Sequence, residues 1–426
     1  MATLDVHMNG QLVGILDGSD RRSLRFAYAP EYVADPSSTP LSASMPLRES
    51  PYLHATVHPY LWGLLPDNER VLGRWAREFG CSSSDVGGLL TGVGTDVAGA
   101  AQYVSPGTLP EASQPGDVDW VGDADIARFL RDVQRDTTAW RPHPEGRWSL
   151  AGAQAKIALL HDEATGRGGV PSGGTPTTHI LKPAISELDD FDINEHLCLA
   201  SARTLGLRAA ATSMQTFDDQ RVLVVKRYDR IVQGDGTILR VHQEDLCQAL
   251  SVHPDKKSES DGGPSTVDLG RIVNEVSGSA DILRLHDALV YNWLTMSTDG
   301  HAKNFSLLLS GPQTRLAPMY DVASGLPHVH PRKARLAQTI GGENRPLHIQ
   351  SRHWDRLASD FKLDPGASRA RIMSTIERLP DAFAAAAHNP AFTDDERRIA
   401  ATIADQIAEW TKAASRSLDP PSPLRR

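Results

Sequence analysis

The residues richest in chemistry lie in one short run, Asp299-Gly300-His301-Ala302-Lys303-Asn304. An Asp and an Asn five positions apart, with Asp321 further on, form a set suited to moving a phosphoryl group from a nucleotide. In that chemistry one carboxylate takes or orients the acceptor's hydroxyl proton, an amide oxygen holds a magnesium ion, and a second carboxylate chelates magnesium on the phosphates. Asp299 fits the first role, Asn304 and Asp321 the other two. Alone, the run also has the composition of a polar turn, since Asp-Gly and Asn are common turn residues.

The upstream half decides between these readings. A nucleotide needs a backbone-amide cradle for its phosphates, a Lys on the α/β-phosphates and a helical Glu that holds the Lys. The chain offers the small-residue loop Ala151-Gly152-Ala153-Gln154, then Lys182, then Glu195. Taken singly, Lys182 also reads as an edge-strand lysine and Glu195 as part of a solvated helix face. Their order is harder to reach by chance. The stretch Val225-Lys226-Arg227-Tyr228-Asp229-Arg230 follows where a hinge would offer backbone groups to adenine.

These residues need elements to position them. DILRLHDALVYNWLTM repeats apolar side chains at Ile282, Leu285, Ala288, Leu289, Trp293 and Met296, one face of a buried helix ending at Asp299-Gly300. FSLLL, a Gly311-Pro312 turn and a second strand ending at Asp321 complete a hairpin. WSLAGAQAKIALL reads as strand, loop, strand; GRGGVPSGGTPT as a hairpin tip; THILKP as a strand carrying Lys182. DDFDINEHLCLASARTLGL reads as a helix capped at Asp190 or Asp192, with Ile193, Leu197, Ala200 and Leu205 on one face. TSMQTFDD and RVLVVKRYDR are two further strands.

The first hundred residues look like a short-strand module, opening with a hairpin at Asn9-Gly10. FAYAPEYV and PLSASMPL are short apolar stretches, and HPYLWGLLPDNERVLGRWAREFG has a helical period through Leu61, Leu64, Leu65, Val71, Leu72 and Trp75. SPGTLPEASQPGDVDW reads as a linker and DKKSESDGGPSTVD as a mobile polar stretch. The C-terminal ERLPDAFAAAAHNPAFTDDERRIAATIADQIAEW reads as two helices, and SRSLDPPSPLRR as a disordered tail.

Composition narrows the classes. The 426 residues are 23% charged and 40% hydrophobic, with mean hydropathy -0.33, which excludes wholesale disorder and fibrous architectures. No apolar run approaches the roughly 20 residues of a membrane span. The start does not read as a signal peptide, and Cys81, Cys198 and Cys247 give neither a disulfide framework nor a metal spacing, so a cytoplasmic protein is expected. Lys plus Arg number 44 against 53 acids, a net charge of -9, so any contact with DNA must be local or made through a partner.

DGHAKNFS, SLAGAQAKIALL, HILKP, NEH, VKRYDR, HQEDLCQAL, APMYDVAS and the LLPDN element occur in one order, and together they resemble the HipA-type toxins over nearly the whole chain. Those are the serine/threonine kinases of bacterial toxin–antitoxin pairs. The resemblance implies a two-lobed, protein-kinase-like α+β fold with a β-rich N-terminal lobe, an added small N-terminal module, and a mostly helical C-terminal lobe. The expected divisions are an N-terminal module over 1–105, a linker over 106–120, the kinase N-lobe over 121–235, the helical C-lobe over 236–418 and a tail over 419–426.

It further implies ATP and Mg2+ held in the cleft between the lobes. Asp299 matches the catalytic Asp, Asn304 and Asp321 the magnesium ligands, and Lys182 the ATP lysine, oriented by Glu195. Ala151, Gly152, Ala153, Gln154, Ala155 and Lys156 match the phosphate loop, and Lys226, Arg227 and Tyr228 the adenine side. His301, Ala302, Lys303 and Tyr320 join the ATP site, and Ser149 matches the serine that family members autophosphorylate. The implied partners are a helix-turn-helix antitoxin of the HipB type, operator DNA bound through that antitoxin, and an aminoacyl-tRNA synthetase as substrate.

Two positions depart from the family. Lys226 stands where relatives often carry an acid, and Gly300 replaces a frequent Ala, which would loosen the catalytic loop. Two other readings stay open at this stage: a degenerate kinase fold acting only as co-repressor, and a small-molecule kinase. His328-Val329-His330 lacks a third metal ligand at useful spacing, and Arg332, Lys333 and Arg335 read as a solvated basic face.

Overall fold

The computed structural model describes residues 3–18, 23–108, 115–140, 147–162, 165–185 and 188–418. Its contacts divide the chain into two units, one of residues 1–186, 215–254 and 307–314, the other of 187–214, 255–306 and 315–426.

In the first unit, the alternation of the opening residues builds a five-stranded sheet in the order Tyr52–Leu53, Arg25–Tyr28, Gln11–Asp17, Leu4–Met8, Ala101–Val104. Asn9 and Gly10 both take positive φ, 47° and 83°, as the two-residue hairpin turn requires. PLSASMPL forms no strand, only a Ser42–Met45 bridge, and part of FAYAPEYV is a helix, Pro30–Ala34. The expected single helix around LLPDN is two, His54–Trp62 and Glu69–Glu78. Asn68 separates them, its side chain accepting the N–H groups of Arg70 and Val71 as a helix cap.

A second sheet of six strands runs in the order Thr212–Phe217, Gln220–Lys226, His179–Pro183, Ile157–Asp162, Arg167–Gly173, Pro115–Val121. Two expectations fail here. Pro115–Val121 is a paired strand, so any linker is confined to the residues before it, of which 109–114 lie outside the described residues. GRGGVPSG is a strand flanked on both sides, not a hairpin tip. The N-terminal module and this sheet share one core. Leu4, Val6 and Trp75 belong to the same buried cluster as Ile157, Leu181 and Val222.

The second unit is helical. Ser279–Leu294 lies against Thr266–Ser277, Pro365–Ala387 and Asp394–Leu418. Its Ile282, Leu285, Ala288, Leu289 and Trp293 are buried, as their period predicts, at about 1.5–3 kcal/mol for each large apolar side chain. Trp293 donates its indole N–H to the Pro346 carbonyl, and Trp410 donates to the Trp293 carbonyl. The polar stretch after Pro254 is ordered, with short turns at Pro254–Lys256 and Glu259–Asp261. The last helix runs to Leu418, so SRSL is helical rather than disordered, and the residues after it lie outside the described ones. No helix among the described residues is long and apolar enough to cross a membrane.

Candidate active site

The candidate phosphate loop, 151–156, belongs to the first unit and is stitched to the N-terminal module. Pro66 bridges to Gly152, the Asp67 N–H donates to the Gly152 carbonyl at 3.0 Å, and Trp148 bridges to Asp96. Gly152 has φ +109°, a conformation that side chains rarely adopt, and a Cβ there would stand 2.7 Å from the Lys156 ammonium. That ammonium turns back to donate to the Ala151 carbonyl at 2.7 Å and lies over the Trp140 ring. Ala153 is exposed, Ala151, Gly152, Gln154 and Ala155 are half-buried, and the Gln154 amide nitrogen has no hydrogen-bond partner among the described residues. Ser149 is fully buried; its hydroxyl donates to the Leu64 carbonyl at 2.8 Å and its N–H to the Asp96 carbonyl at 3.0 Å.

Lys182 is not an edge-strand lysine. Its strand is hydrogen-bonded on both sides, Leu181 facing Val224 and Ile157, and Lys182 itself is buried opposite Leu223. Three residues beyond Leu223, Lys226 ends its strand exposed, while Tyr228 gives its hydroxyl to the Gln243 side chain. The Arg227 side chain is engaged elsewhere, which leaves the expected backbone contact to adenine untouched. Its guanidinium is buried against Asp229, Thr177 and the Val97 carbonyl, and its N–H donates to the Thr178 carbonyl. Only its carbonyl is left for a nucleotide. The guanidinium joins a buried network in which Arg230 also meets Asp96 and Asp229. Burial alone would push both carboxyls up, but Arg227 and Arg230 outweigh it and hold Asp96 and Asp229 below the usual carboxylate range.

The second unit carries Asp299, Asn304 and Asp321, the candidate transfer set. After Leu294 the chain turns at Met296, which has φ 50°, and presents Asp299 with its side chain 77% exposed. His301 is buried, its Nε2 3.6 Å from the Asp299 carboxylate. Ala302, Lys303 and Asn304 form one short turn, and the Ala302 N–H is fixed on the Lys257 carbonyl. Asn304 donates its amide N–H to the Asp299 carbonyl at 2.7 Å, which leaves its amide oxygen for a cation. Gly300 does not loosen this loop. It is buried, and a Cβ there would come within 2.5 Å of the Asn292 amide.

Asp321 does not end a strand, as expected; the second strand of the hairpin stops at Leu316. Residues 317–319 instead run beside Arg208–Ala210, and Asp321 takes φ 56°, a costly conformation of the kind that clusters at functional sites. The Tyr320 hydroxyl donates to the Lys303 carbonyl at 2.6 Å and contacts the Ser306 hydroxyl at 2.6 Å. The residue before Asp321 is thereby clasped to the residue before Asn304. Sequence reading gave Tyr320 to the nucleotide and missed this clasp. It also missed Asn194, whose side-chain amide makes two bonds with the Ser324 backbone, at 2.8 and 2.9 Å, and so fixes the segment after Asp321. NEH was recognised as a motif, but its first residue had no role until the fold brought Ser324 to it. Glu195 is buried on Phe191–Thr204, a helix covered nearly all round rather than on one face. Asp190 stands at that helix's cap position with φ 53° and no side-chain cap bond.

Comparison with known proteins settles the family. The HipA-like C-terminal domain model matches residues 148–386, and the HipA N-terminal domain model matches residues 4–104. The chain is a member of the HipA family. Its HipA relatives include Y4mE of Sinorhizobium fredii, 34% identical over 396 residues that cover 89% of this chain and 91% of that one. The serine/threonine-protein kinase toxin HipA of Shewanella oneidensis is 26% identical over 401 residues, 90% and 88% of the two chains. The HipA chain solved in the Shewanella oneidensis HipA, HipB and operator DNA complex superposes with a TM-score of 0.84. That match covers 98% of this chain and 100% of that one at 23% identity, and it gives the HipA kinase-like fold. Among the described residues no group of three or more His, Cys, Asp or Glu is placed to hold a metal, His328 and His330 included.

Proposed function

We propose that this HipA-family protein is a toxin kinase that transfers the γ-phosphate of ATP to a serine of a protein, an aminoacyl-tRNA synthetase being the expected target. The observation that carries the reading is the Tyr320–Lys303 clasp, which joins the backbone of Asn304 to that of Asp321 beside an open Asp299. A scaffold that only repressed transcription would need none of this set.

The donor chemistry fits magnesium. An amide oxygen and a carboxylate are hard ligands, and magnesium is commonly held by one or two such side chains with substrate phosphates completing the shell. Asn304 and Asp321 would hold it, and the ion would neutralise charge on the transferred group. The chain's own residues do the rest. The 151–156 loop offers backbone N–H groups and the spare Gln154 amide to the phosphates. Lys182 supplies a fixed cation, and Asp299 orients the acceptor hydroxyl and takes its proton. Ala302 and Lys303 keep the loop in shape through their bonds to Lys257 and Tyr320, and the His301 carbonyl accepts the Asn304 N–H.

The reading includes a HipB-type antitoxin as neutralising partner, operator DNA reached through it, and autophosphorylation at Ser149. Incubating the purified chain with labelled ATP and a lysate of its host, then identifying labelled proteins, tests the substrate. Expression without the antitoxin should arrest growth, and Asp299→Asn should relieve the arrest. Arrest that persists with a folded Asp299→Asn chain would show that toxicity is not catalytic.

A further inference from the structure

The helical unit contains a cavity of about 350 Å³ behind the Asn304 turn, within the size range of small-molecule sites. One part of its wall is apolar, formed by Leu207, Leu283, Phe305, Leu316, Pro318 and Met319, while Asn304, Ser306 and Asp287 add polar groups. Three arginines also line it, and their charges do not balance. Arg284 is paired with the buried Asp281, whose second oxygen accepts the Leu316 N–H at 2.8 Å. Arg371 makes a two-bonded pair with Asp287. The third, Arg208, is exposed, and its side chain has no hydrogen bond or ion pair among the described residues. A partly apolar chamber is thus left with one positive charge that no carboxylate of its lining pairs.

We infer that this cavity is a second ligand site, built for a small amphipathic monoanion whose apolar body fills the chamber while its single anionic head meets Arg208. A guanidinium suits carboxylate and phosphate alike, since its paired N–H groups match both. The position gives the occupant a lever. Asn304 and Phe305 are part of the wall, and Met319, two residues before Asp321, is held there by the bonds Met319 N–H to Arg208 carbonyl and Ala210 N–H to Met319 carbonyl, each 2.8 Å. An occupant presses at once on the backbone of both candidate magnesium ligands, so the site is an effector site. The effector role rests on the kinase reading; the binding site does not.

The probe for binding is 8-anilinonaphthalene-1-sulfonate, an aromatic monoanion, followed by fluorescence and calorimetry on the full chain. Saturable one-site binding is expected. Arg208→Glu should weaken it at least tenfold, and Ala280→Trp, which plugs the mouth from an exposed position, should abolish it, both with unchanged melting temperature. Absence of saturable binding, or binding that survives both changes, overturns the proposal. Competition identifies the head group: displacement by decanoate assigns a carboxylate, displacement by diphenyl phosphate a phosphate diester, and displacement by neither overturns the site. The displacing anion should change the apparent KM for magnesium in phosphotransfer threefold or more in the parent chain and not in Ala280→Trp. Binding without that change overturns the effector role. A chain that binds the probe yet transfers no phosphate counts against the kinase reading and leaves the site standing.

Discussion

Tyr320 donates its hydroxyl to the carbonyl of Lys303 at 2.6 Å, across 17 positions of sequence. Through this bond the turn that presents Asn304 and the segment that presents Asp321 become one object. Tyr320→Phe keeps the ring and removes the clasp. One lost hydrogen bond is worth about 1 kcal/mol. The expected result is a rise of about fivefold in the KM for magnesium, with kcat little changed and the fold intact. A variant with the parent's magnesium dependence would show that the clasp does not set the ligand positions.

Ser149 is buried on the Leu64 carbonyl, so a phosphate cannot be added without removing the residue from its present place. The added group brings about -1.5 to -2 charges next to a loop that is to hold ATP phosphates. Phosphorylated protein should therefore be cut faster by protease within 147–156 and bind ATP at least tenfold more weakly. Mass spectrometry after incubation with ATP locates the group. No phosphate on Ser149, or a phosphorylated form with undiminished ATP affinity, contradicts the switch.

Glu244 supplies a pH dependence. It is buried in the first unit, where burial pushes its carboxyl up to about 8 against backbone and Ser42 hydrogen bonds that pull it down. Its oxygens meet the Ala43 N–H and the Ser42 hydroxyl, and Ser42 in turn meets Ser44, which donates to the Gln248 carbonyl. Burial favours the protonated, neutral carboxyl over these bonds. The folded value lies above the ordinary 4.5, so stability is fully present below pH 4.5 and falls as pH rises toward about 8, where the unfolded chain has already released the proton. Glu244→Gln should flatten the melting temperature between pH 5 and 8 and raise it at pH 8. An unchanged slope in that variant would contradict the assignment.

Asp96 faces Arg227 and Arg230 with all three buried, so replacing it by Asn leaves excess positive charge without a counterion. The expected cost is about 3–5 kcal/mol. For a unit of this size that is a fall in melting temperature of roughly 10 °C. A loss of less than about 1 kcal/mol in denaturant titration would mean the network is solvated.

Asp96 also shows where sequence reading ran out. The elements around the proposed transfer set were legible because they have strong local signals: the buried helix through Trp293, the turn at Asp299, the hairpin after Asn304. Lys182 was legible from its place in the order of parts, and its burial answers the edge-strand alternative. The buried network of the Arg227 side chain was not legible, because its partner Asp96 lies 131 positions away and nothing local marks an arginine bound for such a network. The tether between Gly152 and Pro66 was hidden for the same reason: LLPDN has a helical period, whereas it interrupts the helix and bridges to the 151–156 loop. Gly300 misled in the opposite sense. Its freedom suggested a loose loop, yet the Asn292 side chain occupies the space that its missing Cβ leaves.

Asp299 provides the most direct test of the whole account. Its side chain is 77% exposed, so Asp299→Asn should leave the fold and melting temperature unchanged while removing the carboxylate that orients the acceptor. General-base groups contribute on the order of 10²–10⁴-fold. The measurement is phosphate transfer from labelled ATP by the purified chain, parent beside variant, with magnesium present and with it chelated. The account predicts label on protein serine with the parent and magnesium, and a loss of at least a hundredfold in the variant or without the metal. Equal labelling by the parent and a folded Asp299→Asn chain would contradict it.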